Sequence, residues 1–163
     1  MSLTPEAERL RRRLLNPWWF RVYLLGRLPL AAAAGLRVRR LDETGCDVSL
    51  TGGWRTRNPF ASTYFAAQAM AAEMSTGAPA SVLVASAPAS VAFILRGIRA
   101  VFTKRIVGPS LFTFEDMDGL RATVDRAAAG PEEQAYTGRS TGRTVAGEPA
   151  AEFEITWSFK RRR

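Results

Sequence analysis

The sequence predicts an α+β fold in which one long helix of small residues is gripped by a curved antiparallel sheet. Three observations predict it. Residues 62–76 hold alanine at 66, 67, 69, 71 and 72 with no glycine or proline, a helix that a sheet can approach closely. Phe153, Ile155, Trp157 and Phe159 alternate strictly with Glu154, Thr156, Ser158 and Lys160, the period-two signature of a strand with one buried and one wet face. Other strand patterns flank the helix, two before it and several after it.

The elements follow in order. Thr4-Pro5-Glu6 opens a helix with a capping hydroxyl, a first-turn proline and an acid at the positive helix end, and Arg11, Arg12 and Arg13 fall near its negative end. Asn16-Pro17 restarts the pattern. Trp18, Phe20, Val22, Tyr23, Leu24 and Leu25 then form a strongly apolar helix, weakened at Gly26 and ended by Pro29. Arg21 and Arg27 interrupt this stretch, so it reads as part of the mature fold and not as a signal peptide. A packing layer is the favoured reading, ahead of a helix lying on a membrane surface. Residues 1–34 are therefore expected as an N-terminal helical extension and residues 35–163 as the main domain.

From Gly35 the pattern changes. Leu36–Leu41 and Cys46–Leu50 read as a hairpin around Glu43-Thr44-Gly45. The central helix is expected from Ser62 to Thr76 with Gly77 as its stop, and Pro79 and Pro88 bracket a short apolar turn or loop. Strands are expected over 91–107 and 110–115. A turn at Asp118-Gly119, a short helix over 120–129 and a closing hairpin of 136–145 with 150–160 complete the chain.

Composition removes several chemistries. The chain has no histidine, which excludes Ser-His-Asp and Cys-His catalysis and histidine-containing zinc sites. The single cysteine, Cys46, excludes an internal disulfide and suits a reducing cytoplasm. No cofactor and no metal are expected. The net charge of +8 sits in terminal clusters, Arg9 with Arg11–Arg13 and Lys160–Arg163. Those eight set aside, 15 of the 23 basic residues face 15 acidic ones, so the ends read as solvated tails and not as a specific nucleic-acid surface.

Between Arg57 and Arg96 the one formally charged residue is Glu73. Helical spacing places it on a face with Ala66, Ala69, Met70 and Gly77, where a carboxylate costs desolvation energy unless it is paired, hydrogen-bonded or protonated. Such a group is a candidate for chemistry; the structural alternatives are an arginine pair or a side chain reaching one exposed edge. Asn58, before Pro59, suits a helix cap or a bond to a neighbouring turn. The amides at the helix start could hold a carbonyl oxygen. Arg96, Arg99, Lys104 and Arg105 lie along strands, either as solvated charges or as contacts for the phosphates of coenzyme A. Ser62 and Thr63 have no histidine to activate them, and Gly52-Gly53 reads as a turn or bulge.

The stretch Trp54-Arg55-Thr56-Arg57-Asn58-Pro59-Phe60-Ala61-Ser62-Thr63-Tyr64-Phe65, continuing to Ala72-Glu73, resembles the core motif of hot-dog acyl-CoA thioesterases of the phenylacetate-pathway type. It is more similar still to a bacterial hot-dog family known as a domain of unknown function. The resemblance spans Leu36 to Lys160. It implies a hot-dog fold, a homodimer or a pair of dimers, and an acyl-CoA or similar thioester as ligand at a dimer-interface site. It places Asn58 before the helix and Glu73 about two turns inside it as catalytic residues, Glu73 as base or nucleophile. Tyr64, Phe65 and Ala66 fall at the substrate-binding position, where the active enzymes commonly carry His-Gly-Gly. An acyl-CoA thioesterase-like enzyme is the first functional expectation. A non-catalytic dimer that binds acyl chains or CoA is the second, and a protein using its basic ends on nucleic acid or anionic lipid is the third.

Overall fold

The computed structural model describes residues 3–162. Helix α1 (Pro5–Leu15) is capped by Thr4, whose hydroxyl accepts from the Ala7 amide, and α2 (Pro17–Arg27) by Asn16, whose side chain accepts from the amides of Trp18 and Trp19. A short α3 (Pro29–Ala34) ends at Gly35, in the left-handed conformation with φ of 75°. The hairpin of β1 (Arg37–Leu41) and β2 (Cys46–Leu50) turns on Asp42, which accepts from the amides of Thr44 and Gly45. Helix α4 (Phe65–Ser86), β3 (Val91–Phe102), β4 (Ser110–Phe114), α5 (Met117–Ala129), β5 (Gln134–Thr144) and β6 (Pro149–Arg161) follow.

All six strands form one antiparallel sheet in the order β1-β2-β4-β5-β6-β3, with α4 packed against it; this is a hot-dog fold. Its inner face is what the alternation in β6 dictates: Phe153, Ile155, Trp157 and Phe159 are buried. On β5 the inward positions are small, Gly138, Ser140 and Gly142, and this is what lets the helix and its neighbours close in. A Cβ on Gly142 would stand 2.5 Å from the buried Phe112 ring, and one on Gly138 would stand 3.0 Å from Phe114 and Tyr136. Ser140 shares a 2.8 Å hydroxyl bond with Ser75 of α4.

Helix α4 corrects two sequence expectations. Gly77 does not stop it, and Pro79 does not separate a second turn; the helix runs unbroken to Ser86 with Pro79 inside. Gly77 is a packing residue instead. The six-membered ring of Trp157 lies 3.2 Å from where its Cβ would be, and the Trp157 Nε1–H donates to Thr76 Oγ1 at 2.9 Å. Ala78, Pro79, Ala80, Val82 and Leu83 are buried, and this burial outweighs the helix-breaking preference of glycine and proline. The helix also starts at Phe65 and not at Ser62.

Other boundaries shift for local reasons. Strand β3 ends at Phe102 and not at 107, because the Thr103 and Lys104 amides both turn to the carbonyl of Ala150. Asp118-Gly119 is the first turn of α5 and no separate turn, since Asp116 caps that helix through the Gly119 amide. The N-terminal helices share the core of the sheet through Ala7, Leu14, Phe20, Leu24 and Ala31. Only Phe20 and Leu24 of α2 are buried, so most of that aromatic helix is not a packing layer.

Candidate functional site

The segment between β2 and α4 is held residue by residue. Asn58 Oδ1 accepts from the Phe60 amide at 3.0 Å and from both the amide and the hydroxyl of Ser62 at 3.1 Å. Its role in this structure is the bond to a neighbouring turn, and no side chain caps α4. Ala61 sits in the left-handed region with φ of 57°. Arg105 donates to the Phe60 carbonyl at 2.8 Å, the Thr63 amide to the Ile106 carbonyl at 2.8 Å, and the Tyr64 amide to the Thr56 carbonyl at 2.6 Å. The start of α4 is thereby fixed before any ligand arrives.

At that start, the Ala67 and Gln68 amides bond back to the Tyr64 carbonyl. The amides of Phe65 and Ala66 donate to no acceptor among the described residues. Tyr64 and Phe65 are exposed, their rings 4.7 Å apart, and Ala66 is partly exposed. Gln68 is buried, donates to the Thr63 carbonyl at 2.9 Å, and keeps its Oε1 without a described partner. Sequence reading passed over Gln68; the signal was a long polar side chain in an otherwise alanine-rich turn.

Glu73 lies two turns further on and is largely buried. No ion pair or hydrogen bond reaches its carboxylate from a described residue, so neither an arginine pair nor a hydroxyl partner is present. Glu73 Oε1 and the Trp157 ring approach the same point above Gly77, at 3.2 Å each. Burial without compensation pushes the carboxyl above the usual carboxylate range. The group is therefore a stronger base than a solvated carboxylate.

Of the four cations expected along strands, Arg96 and Arg99 lie on β3, but Lys104 and Arg105 lie in the loop beyond its end at Phe102, and all four are already engaged. Arg96 pairs with Glu133 at 2.9 Å, Arg99 with Glu154 at 3.7 Å and Lys104 with Glu148 at 3.3 Å. Arg105 is the one of the four tied to the Asn58 segment. Cys46 is fully buried with its thiol pushed up by burial, a core residue. A cavity of about 640 Å³ opens elsewhere, between α2–α3 and residues 51–55.

A family model described as a domain of unknown function, DUF4442, matches residues 17–158. No curated protein matches the sequence. A solved Chlorobaculum tepidum protein of unknown function is similar with a TM-score of 0.74 at 11% identity, over 91% of this chain and 98% of its own. A mutant thioesterase from Pseudomonas aeruginosa gives 0.67 at 14% identity, over 99% and 100%. A thioesterase from Haemophilus influenzae gives 0.63 at 13%, over 86% and 88%. At these identities the likeness is one of fold.

Proposed function

The chain belongs to the DUF4442 family, and on that premise we propose that it hydrolyses an acyl thioester, as an acyl-CoA thioesterase-like enzyme, at a site built between two copies. The observation that carries this reading is Glu73, an unpaired, largely buried carboxylate on the same helix as two undirected amides. Glu73 takes a proton from water, the water oxygen bonds to the carbonyl carbon, the C–S bond breaks, and the thiolate leaves with the proton. The amides of Phe65 and Ala66 receive the carbonyl oxygen as it becomes an oxyanion, and the Asn58 segment holds them in place. Arg105, at the edge of that segment, is the foremost of the four cations for a coenzyme A phosphate. The compartment consistent with the single buried thiol is the cytoplasm.

Helix geometry supports a shared site. Ala66 and Glu73 are seven residues apart, roughly 10 Å along the axis at 1.5 Å per residue. A reacting carbonyl must lie about 3 Å from both the oxyanion donors and the base or its water. One helix does not span that gap, whereas the α4 of a second copy running alongside does. The edge strand β3 offers the joint: it pairs only with β6 among the described strands, and it exposes Ile94, Ile98, Val101 and Phe102. Sedimentation equilibrium at micromolar concentration is expected to give a homodimer or a pair of dimers. Ile94→Lys with Ile98→Lys is expected to give a folded monomer without turnover. A compact wild-type monomer would remove the shared site.

The test of function is release of free thiol from a panel of acyl-CoAs differing in chain length and aromaticity. Turnover of at least one member above the uncatalysed rate is the expected result. The exposed Phe65 beside Tyr64 favours one second reading, a non-catalytic dimer that binds acyl chains or CoA. Saturable binding across the panel with no thiol release would establish that reading and refute hydrolysis.

A further inference from the structure

Helix α2 buries Phe20 and Leu24 and carries a second apolar face that the core does not cover. Trp18, Val22 and Leu25 fall at the i, i+4, i+7 spacing of one helical face, and that face points away from the core: Trp18 is 81% exposed, Val22 66% and Leu25 58%. Trp19 and Tyr23 stack beside it with ring centres 5.7 Å apart, and Leu30 of α3, 75% exposed, extends it. Trp54, across the 640 Å³ cavity, is again 81% exposed. Single exposed apolar side chains need no explanation; a contiguous aromatic and aliphatic face does.

The charge around this face has one sign. From Arg9 to Leu41 the sequence has no acidic residue. Arg13 lies over the Trp19 ring at 5.2 Å and Arg55 over Trp54 at 5.5 Å. These two, with Arg21, Arg27 and Arg37, pair with no carboxylate among the described residues, unlike Arg11, Arg12 and Arg40. A second copy docking the same face by a two-fold axis would bring these arginines against themselves. An anionic surface with an apolar interior satisfies both properties at once. Trp and Tyr suit the headgroup level, the aliphatic stripe suits the acyl boundary, and guanidinium groups suit phosphate.

We propose that α2, α3 and Trp54 form a docking surface for an anionic lipid bilayer, which the protein touches without crossing. No helix among the described residues is long and apolar enough to span one.

The test is flotation of the full chain with phosphatidylcholine vesicles, with and without 30% phosphatidylglycerol. Expected are binding to the anionic vesicles at least about 10-fold tighter than to the neutral ones, weakening at high salt, and a blue shift in tryptophan emission. Trp18→Ser with Leu25→Ser, both on solvent-facing positions, should cut binding about 10-fold with an unchanged circular dichroism spectrum. Arg21→Gln with Arg27→Gln should abolish the preference for anionic vesicles. Arg161→Gln with Arg162→Gln should leave binding unchanged. Binding carried by that last pair and indifferent to Trp18 and Leu25 would overturn the proposal. So would absence of binding to either vesicle, or a Trp18–Leu25 variant altered only in oligomeric state.

Discussion

Glu73→Gln is expected to lower acyl-thioester turnover by at least about 100-fold, the usual scale for removing a positioned base, while the protein remains folded. The amide keeps the shape of the carboxyl group but takes no proton. Because Glu73 has no hydrogen-bond or ion-pair partner to lose, the substitution breaks no described contact. The pH profile carries the sign. A carboxyl raised by burial is ionised only above its shifted value, so activity should fall on acidification at a pH above the ordinary carboxylate range of about 4.3. Stability runs the other way. An acid with a raised folded-state pKa costs stability in full above its folded value, and the cost vanishes as pH falls through the unfolded value. Glu73→Gln removes the buried charge and should therefore stabilise the protein at neutral pH, an advantage that disappears at low pH. Urea unfolding at two pH values checks this, and unchanged turnover would rule out the catalytic role.

Trp157→Ala should destabilise the fold by about 3–5 kcal/mol, the range for emptying a buried aromatic site. Trp157 fills the space left by Gly77, meets Phe93 in a tilted contact with ring centres 5.4 Å apart and donates to Thr76. Trp157→Phe keeps much of the volume and loses that hydrogen bond, a cost of about 1 kcal/mol. Urea midpoints give both values, and an alanine variant within 1 kcal/mol of wild type would disprove this account of how α4 is seated. The two experiments are linked: with the ring gone, water reaches Glu73 and the acid limb of any pH profile should move down.

The readable parts of this fold were those governed by one strand or one helix alone. Alternation in β6 required nothing beyond its own residues, and its four inward side chains are buried as the pattern requires. Glu73 could be found because one charge in a neutral segment is visible without coordinates. Gly77 and Pro79 misled because their local preference opposes a helix, while the deciding contact, Trp157, is 80 residues away from Gly77 in sequence. Asn58 left two roles open until the register of its turn was known. The aromatic face of α2 was misassigned for a similar reason. Periodicity shows that a helix has an apolar side, but not whether the rest of the protein covers it. The C-terminal cluster is exposed at Lys160–Arg162 but is not a tail there, since Lys160 and Arg161 are paired residues of β6, and Arg163 lies outside the described residues.

The strand order has a consequence for synthesis. Strand β3 pairs along its whole length with β6, Val91 against Arg161 and Phe102 against Ala151. A ribosome adding about 5–20 residues per second therefore releases β3 several seconds before its partner exists. For that interval α4 has emerged without β5 or β6 to cover it, and pairings this distant in sequence are slow to close. Helix α1, which precedes α4 in the chain, is already available. Thr4, at the head of α1, bonds to Ala85 and Ser86 at the far end of α4. Helix α1 can thus cover α4 in the interval before β5 and β6 are made.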